Sequence, residues 1–285
     1  MDRPQLYAVL DSYLAALSRR DATAVRWADG CQTSENNVML DVGDGLWGTI
    51  DRLGDYQLRF ADSQTGEVGY FGVCHEHTEE SAFTLRLKVN AAGEVAEAET
   101  IVVRQSDSGI KFLNPRYWDK PILNANVAQT TPRADMIALA DGYFSTLQQN
   151  DGTLHTRFHP DCDRVENGVQ TTHNPEFAYI VPVAALGCDD QFRMGNYRYD
   201  DRLRGRRFPL VDEARGLVLA FGFIDHCGRL AEYQLTDGRT VQSPIRYPHS
   251  FYLAELFKIE DGMIRQIEAN FITVPYHMKS PWDGQ

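Results

Sequence analysis

Apolar residues at Tyr7, Leu10, Tyr13, Leu14 and Leu17 recur at helical spacing behind Pro4 and predict an amphipathic helix that opens the chain. Asp21 then stands where an N-cap would start a short second helix over Ala22–Trp27. The pattern returns over residues 133–149, with Met136, Leu139, Tyr143, Phe144 and Leu147 on one face and Asp151 beyond. Elsewhere the pattern is that of strands: 67–74, 81–89 and 94–104 in the first half, and 216–225, 229–235, 249–259 and 263–273 in the second. Turns are expected at Asn90-Ala91-Ala92-Gly93 and Glu260-Asp261-Gly262. Residues 174–213 fit neither period. They hold Arg202, Arg204, Arg206 and Arg207 with Pro182 and Pro209, and read as a lid or a helix with irregular flanks whose basic cluster is a solvated face.

The two halves carry the same signals in the same order. Tyr13, Asp21, Cys31 and Glu35-Asn36 answer Tyr143, Asp151, Cys162 and Glu166-Asn167, at offsets of 130 to 131 residues. Arg52-Leu53-Gly54-Asp55-Tyr56 answers Arg193-Met194-Gly195-Asn196-Tyr197 at 141, Phe71-Gly72 answers Phe221-Gly222 at 150, and Glu99 answers Glu268 at 169. The offset only grows, so the second copy carries insertions. Two long copies predict two related domains rather than a solenoid: residues 1–115, a proline-bearing linker over 116–132, and residues 133–285 with a C-terminal extension. Each copy reads as helices followed by a curved antiparallel sheet, an α+β cone with one open end whose inward residues alternate along the strands. Such a cavity suits a small, mostly hydrophobic molecule.

Composition narrows the partners. A length of 285 residues fits two domains, and a formal net charge of −12 argues against nucleic acid or an anionic membrane. No apolar run reaches the ~20 residues of a membrane span, and no signal-peptide core is present, so a cytoplasmic location is expected. Five cysteines without a CxxC pair argue against a disulfide scaffold or a zinc ribbon.

At this point the chain resembles the NTF2-like superfamily of SnoaL-like and ketosteroid-isomerase-type cones. The residues that carry the likeness are Tyr13-Leu14-Ala15-Ala16-Leu17 leading to Asp21, Trp27-Ala28-Asp29 and Glu35, and Tyr143-Phe144-Ser145 leading to Asp151, Phe158-His159-Pro160-Asp161 and Glu166. The segment from His249 to Gly262, with Val274-Pro275-Tyr276 and Ser280-Pro281-Trp282, also resembles a SnoaL-like group of bacterial and fungal proteins. The resemblance implies two tandem NTF2-like cones. In ketosteroid isomerase a helical Tyr supports an oxyanion hole, a strand acid is the general base, and a further acid stays protonated in an apolar site. Tyr143, Glu166 and Glu255 fall on or near those places. In the first copy Leu85 stands near the third, and in both copies the base is Glu followed by Asn.

These residues predict a cofactor-free acid/base enzyme, a lyase of retro-aldol or dehydration type or an isomerase, acting on a small hydrophobic molecule. The resemblance extends this to aromatic, lignin-derived substrates. The expected catalytic residues are Glu166, Tyr143, His249 and Glu255, and the expected substrate contacts are Arg193, Tyr197, Asp225, His226, Tyr252 and Phe271; no metal site is expected. Arg52 and Arg193 read either as clamps on a substrate oxygen or as braces for Glu35 and Glu166. Residues 274–285 are expected to fold over the pocket mouth. A non-catalytic binding or assembly module is the alternative reading. Homo-oligomerisation, and which cone is active, stay open.

Overall fold

The computed structural model describes residues 1–106, 121–179 and 181–283. Helix α1 (Arg3–Ser18) starts at Asp2, whose carboxylate accepts the Gln5 N–H at 2.9 Å while the Gln5 side chain accepts the Asp2 N–H at 2.9 Å. This reciprocal cap satisfies two amide donors that the first turn would otherwise leave open. Its apolar face, Leu6, Leu10, Tyr13, Leu14 and Leu17, is buried. After Asp21 the chain makes one 3-10 turn, Ala22–Ala24, and not the longer helix expected there. Trp27 already pairs with Val95 in a ladder, and its indole N–H donates to the Ala22 carbonyl at 2.9 Å, so the sheet takes the backbone a helix would need.

The first cone continues with β1 (Trp27–Glu35), β2 (Val38–Leu40), α2 (Leu46–Thr49), β3 (Ile50–Asp62), β4 (Glu67–Glu76), β5 (Glu79–Val89) and β6 (Val95–Val103). The second follows the short α3 (Pro121–Asn124). It comprises α4 (Arg133–Gln149), β7 (Phe158–Glu166), β8 (Val169–Gln170), α5 (Cys188–Arg193), β9 (Arg202–Asp212), β10 (Leu217–His226), the hairpin β11 (Glu232–Gln234) with β12 (Thr240–Gln242), β13 (His249–Glu260) and β14 (Met263–Val274). The sheets run β2-β1-β6-β5-β4-β3 and β8-β7-β14-β13-β10-β9. The fold is α+β, two tandem cones, each a helix packed on a curved six-stranded sheet. Each sheet is mixed: β1 lies parallel to β6 and β7 parallel to β14, while the other ladders are antiparallel.

The registers coincide as well. Ser34 and Glu35 lie opposite Glu99 and Thr100, and Val165 and Glu166 lie opposite Glu268 and Ala269. The asparagine after each glutamate has a positive φ, 52° at Asn36 and 47° at Asn167. Each clasps the neighbouring strand. Asn36 accepts from the Val102 N–H at 2.9 Å and donates to the Val102 carbonyl at 3.1 Å; Asn167 does the same with Phe271 at 2.9 and 3.0 Å. The repeated Glu-Asn pair therefore carries a backbone lock in its Asn, whatever its Glu does.

Alternation along the strands places one sheet face over its helix and the other against the opposite cone. On β13, Leu253, Phe257 and Ile259 join the core under α4, while Tyr252, Ala254 and Leu256 pack with Leu58, Phe60, Phe71, Val73, Ile101 and Val103 of the first sheet. The two sheets thus share an apolar core between them, pinned by reciprocal ion pairs. Arg3 at the head of α1 meets Asp212 at 2.5 Å, and Arg133 at the head of α4 meets Asp62 at 2.5 Å. Glu99, fully buried, accepts from Arg86 at 2.9 Å, Arg207 at 2.5 Å and the Tyr252 hydroxyl.

Of residues 174–213, the first part holds the short helix α5 behind two 3-10 turns, as a helix with irregular flanks would, but residues 202–212 form β9, neither lid nor helix. The arginines expected to face solvent are braces: Arg204 pairs with Asp225 at 2.8 Å, Arg206 with Asp141 at 3.0 Å, and Arg207 with Glu99. Of the linker, residues 116–120 lie outside the described residues, and Leu123 is buried in the core between the sheets. The C-terminal segment fastens onto the first cone rather than closing the second: Trp282 is buried, its indole N–H donates to Ser34 at 3.1 Å, and Arg86 lies over its ring. Among the described residues no helix is long and apolar enough to cross a membrane.

Candidate active site

The cones differ in what fills them. In the first, α2 delivers Trp47 against Tyr13, with ring centroids 5.2 Å apart, and Trp27 packs on the same tyrosine at 5.8 Å. Glu35 is tied to Arg104 at 2.8 Å and accepts the Leu46 N–H at 2.6 Å. Gly45 makes that approach feasible: its φ is +66°, and a Cβ there would sit 2.4 Å from a Glu35 oxygen. The space left is ≈ 30 Å³.

In the second cone no tryptophan intrudes among the described residues, and a cavity of ≈ 120 Å³ remains. Its floor is Tyr143 from α4, Glu255 from β13, Glu166 and Arg164 from β7, and Ala269 from β14. Glu255 and Glu166 both lie opposite Ala269, one on either side, so their Cα atoms stand two strand spacings apart, about 10 Å. Leu147, Val181, Ile224, Phe251, Leu253 and Phe271 supply apolar wall, and Tyr197, Tyr199, Asp200 and His226 line the remainder.

Burial sets the electrostatics. Glu255 is 3% exposed, and its carboxyl is pushed up to about 8, chiefly by desolvation and then by the nearby charge of Glu166. Arg164 and the nearby Tyr143 hydroxyl pull the other way without overcoming it. Glu255 is therefore neutral at pH 7. Tyr143 is raised well above 10 by burial, then by Glu255, so it stays a donor throughout the neutral range. Arg164 is buried and ion-paired with Glu166 at 3.3 Å. It also reaches Thr171 at 3.1 Å, Gln191 at 2.6 Å and the Tyr197 hydroxyl at 2.5 Å. Desolvation works against its charge, but Glu166 and the ring of dipoles keep it a cation. On the upper wall the His226 imidazole meets Asp200 at 2.9 Å, both buried, and burial raises the Asp200 carboxyl against the pull of His226.

Of the residues singled out by sequence, Glu166, Tyr143, Glu255, Tyr197, His226 and Phe271 line this one cavity. His249 does not; its ring stacks on His226 at 4.8 Å, its Nδ1 lies 2.9 Å from the Tyr247 carbonyl, and burial lowers its basicity. Asp225 is engaged elsewhere, by Arg204 and by the Ser250 hydroxyl at 2.5 Å. Tyr252 lies between the sheets, on Glu99. Arg193 stands at the end of α5 beside Asp189, its side chain 58% exposed. The brace on each glutamate comes from Arg104 and Arg164, not from Arg52 and Arg193.

Sequence reasoning missed Arg164, Tyr199 and Asp200. Arg164 sits two residues before Glu166, so strand periodicity puts both side chains on one face. Asp200 and Tyr199 lie in the stretch that fitted no period and carried no signal beyond the growth in offset.

The chain matches a family described as a domain of unknown function (DUF8021) over residues 1–106 and 129–271. No curated protein matches it. Among solved structures it is similar to AusH from Aspergillus nidulans (14% identity, 49% of this chain and 85% of that one, TM-score 0.31). It is similar to an NTF2-like protein of unknown function from Cytophaga hutchinsonii ATCC 33406 (10% identity, 49% and 97%, TM-score 0.26). It is also similar to a protein with a cystatin-like fold from Methylobium petroleophilum PM1 (12% identity, 39% and 83%, TM-score 0.32). The chain belongs to the DUF8021 family, whose match spans both cones, from residue 1 to 106 and from 129 to 271.

Proposed function

We propose that the second cone is the working site of a cofactor-independent acid/base enzyme acting on a small, largely hydrophobic, aromatic molecule. The observation that carries this is Glu255: a buried carboxylic acid that keeps its proton into the neutral range, sharing the cavity floor with Tyr143 and with the ion-paired Glu166 beneath apolar walls. Tyr143 and Glu255 are two donors on the floor of a largely apolar cavity, suited to an oxygen that gains charge. Glu166, held in place by Arg164, is the carboxylate on the cavity floor beside these donors and takes the proton.

The step is proton abstraction next to a carbonyl. Glu166 takes the proton, the C–H electron pair moves to the carbonyl oxygen, and Tyr143 and Glu255 donate to the oxyanion. Returning the proton to another carbon makes an isomerase. Expelling a β-hydroxyl as water, with the proton Glu166 has taken, makes a dehydrating lyase. In a retro-aldol lyase Glu166 takes the β-hydroxyl proton instead, the Cα–Cβ bond breaks, its electron pair becomes the enolate held by Tyr143 and Glu255, and the β carbon leaves as an aldehyde. The first cone, filled by Trp47 and with Glu35 tied to Arg104, is the structural partner in this reading.

A phenolate mimics the oxyanion. 2-Naphthol, titrated by its own fluorescence, is expected to bind the protein, and Tyr143→Phe and Glu255→Gln should each weaken it ~10–100-fold, the value of a buried hydrogen bond to a charged oxygen. Binding untouched by both changes would overturn the proposal. Tight binding in every variant would point to an apolar ligand carrier.

A further inference from the structure

The cavity has a second polar station, which the reaction above does not use. His226 is 1% exposed and lines the cavity wall. Its Nε2 is fixed by Asp200 at 2.9 Å, and its ring is sandwiched between His249 at 4.8 Å and Tyr199 at 6.1 Å, both near-parallel. Its Nδ1 is buried with no hydrogen-bond partner among the described residues. Buried polar nitrogens are almost always satisfied, so an orphan in a cavity wall is a place where a ligand group belongs. The sandwich and the Asp200 contact leave the ring no freedom to find another partner.

The station stands away from the Tyr143–Glu255 pair. Glu255 lies opposite Ala220 on β10, whereas His226 lies six residues further along that strand. Phe251, Leu253 and Ile224 occupy the wall between. Tyr199 and Asp200, which hold His226, come from the stretch between β8 and β9 that the second copy has gained.

We propose that His226, positioned by Asp200, takes a hydroxyl or carbonyl at the far end of the substrate, so that the substrate is an elongated apolar molecule with an oxygen function at each end. The inference rests on the second cone being a ligand cavity and adds the substrate's shape and second polar group. Asp200 is a positioning residue here: it fixes which imidazole nitrogen is left for the ligand.

The test compares rigid aromatic alcohols with one and two hydroxyls: 2-naphthol with naphthalene-2,6-diol, and 4-phenylphenol with biphenyl-4,4′-diol. In the wild type at least one diol is expected to bind ~3–10-fold more tightly than its mono-ol, the worth of one net hydrogen bond. In His226→Leu and in His226→Gln that ratio should fall to about one. In Asp200→Asn the mono-ol should still bind while the ratio shrinks, as His226 loses its fixed tautomer amid His249, Tyr199, Glu166 and Arg164. The mono-ol titration in each variant reports whether the cavity is formed. A mono-ol that binds while no diol gains over it overturns the inference and spares the proposed function, as does a diol advantage that survives both His226 changes. Failure of the mono-ols themselves in the wild type overturns both.

Discussion

Glu255→Gln is expected to change the pH dependence of stability more than any other single replacement in the second cone. The wild-type carboxyl is held protonated by burial, from an ordinary 4.5 up to about 8. In the unfolded chain it ionises near pH 4.5. Below that pH both states carry the proton and nothing is lost. Between about 4.5 and 8 the folded state binds a proton that the unfolded state has released, so stability falls as pH rises, and it levels off above 8. At about 1.4 kcal/mol per pH unit the full span is on the order of 5 kcal/mol. Glutamine keeps the shape and cannot ionise. Glu67, raised to about 7 mainly by burial, slopes the same way but is common to both proteins and cancels in the difference. Urea denaturation of wild type and Glu255→Gln from pH 4.5 to 8.5 should show the variant gaining several kcal/mol relative to wild type across that range. Curves that stay parallel would refute a buried neutral Glu255, and with it the second donor of the oxyanion site.

Three further outcomes are expected. Trp47→Ala should destabilise the protein by about 3–5 kcal/mol by emptying the first cone, and 2-naphthol affinity in the second cone should hold; a large loss of affinity would show the cones to be coupled. Arg133→Met should cost about 2–3 kcal/mol, less than a fully buried pair because the Arg133 side chain keeps 23% exposure. Burial alone would raise Asp62, but Arg133 and the Val211 and Gln64 amides outweigh it and hold it low. The pair's contribution is therefore present above the ordinary value near 4 and lost as pH falls through the depressed one, so the wild-type advantage should shrink below about pH 4 in acid unfolding. Asn167→Ala should cost about 2–3 kcal/mol, because it strands the buried Phe271 N–H and carbonyl, and an unchanged denaturation midpoint would contradict the clasp.

How far the chain could be read follows from where its physics is local. Helix spacing over Tyr7–Leu17 and Met136–Leu147 gave α1 and α4, and the motif order gave two cones whose Glu35 and Glu166 share one register. The pairing of Leu85 with Thr100 and of Glu255 with Ala269 shows that the departure noted at Leu85 is a true positional difference between the two cones. Strand β9 was illegible because its arginines bind partners far along the chain, Asp141, Asp225 and Glu99, and polar residues so placed break the alternation that marks a strand. The orphaned His226 and the Asp200 beside it could not be paired by spacing, since their contact crosses an insertion. The mismatch of offsets did record that insertion; what it built, the upper wall of the cavity, needed coordinates.

The central claim is that Glu166 moves a proton while Tyr143 and Glu255 hold the oxygen. Deuterium uptake from heavy water into the α positions of 4-phenylbutan-2-one, followed by proton NMR, tests it most directly. Wild type should exchange well above buffer, and Glu166→Gln should slow the exchange ~10²–10⁴-fold, the usual worth of a positioned base, with 2-naphthol affinity largely kept. Exchange in Glu166→Gln at the wild-type rate, or none in the wild type, would contradict the account.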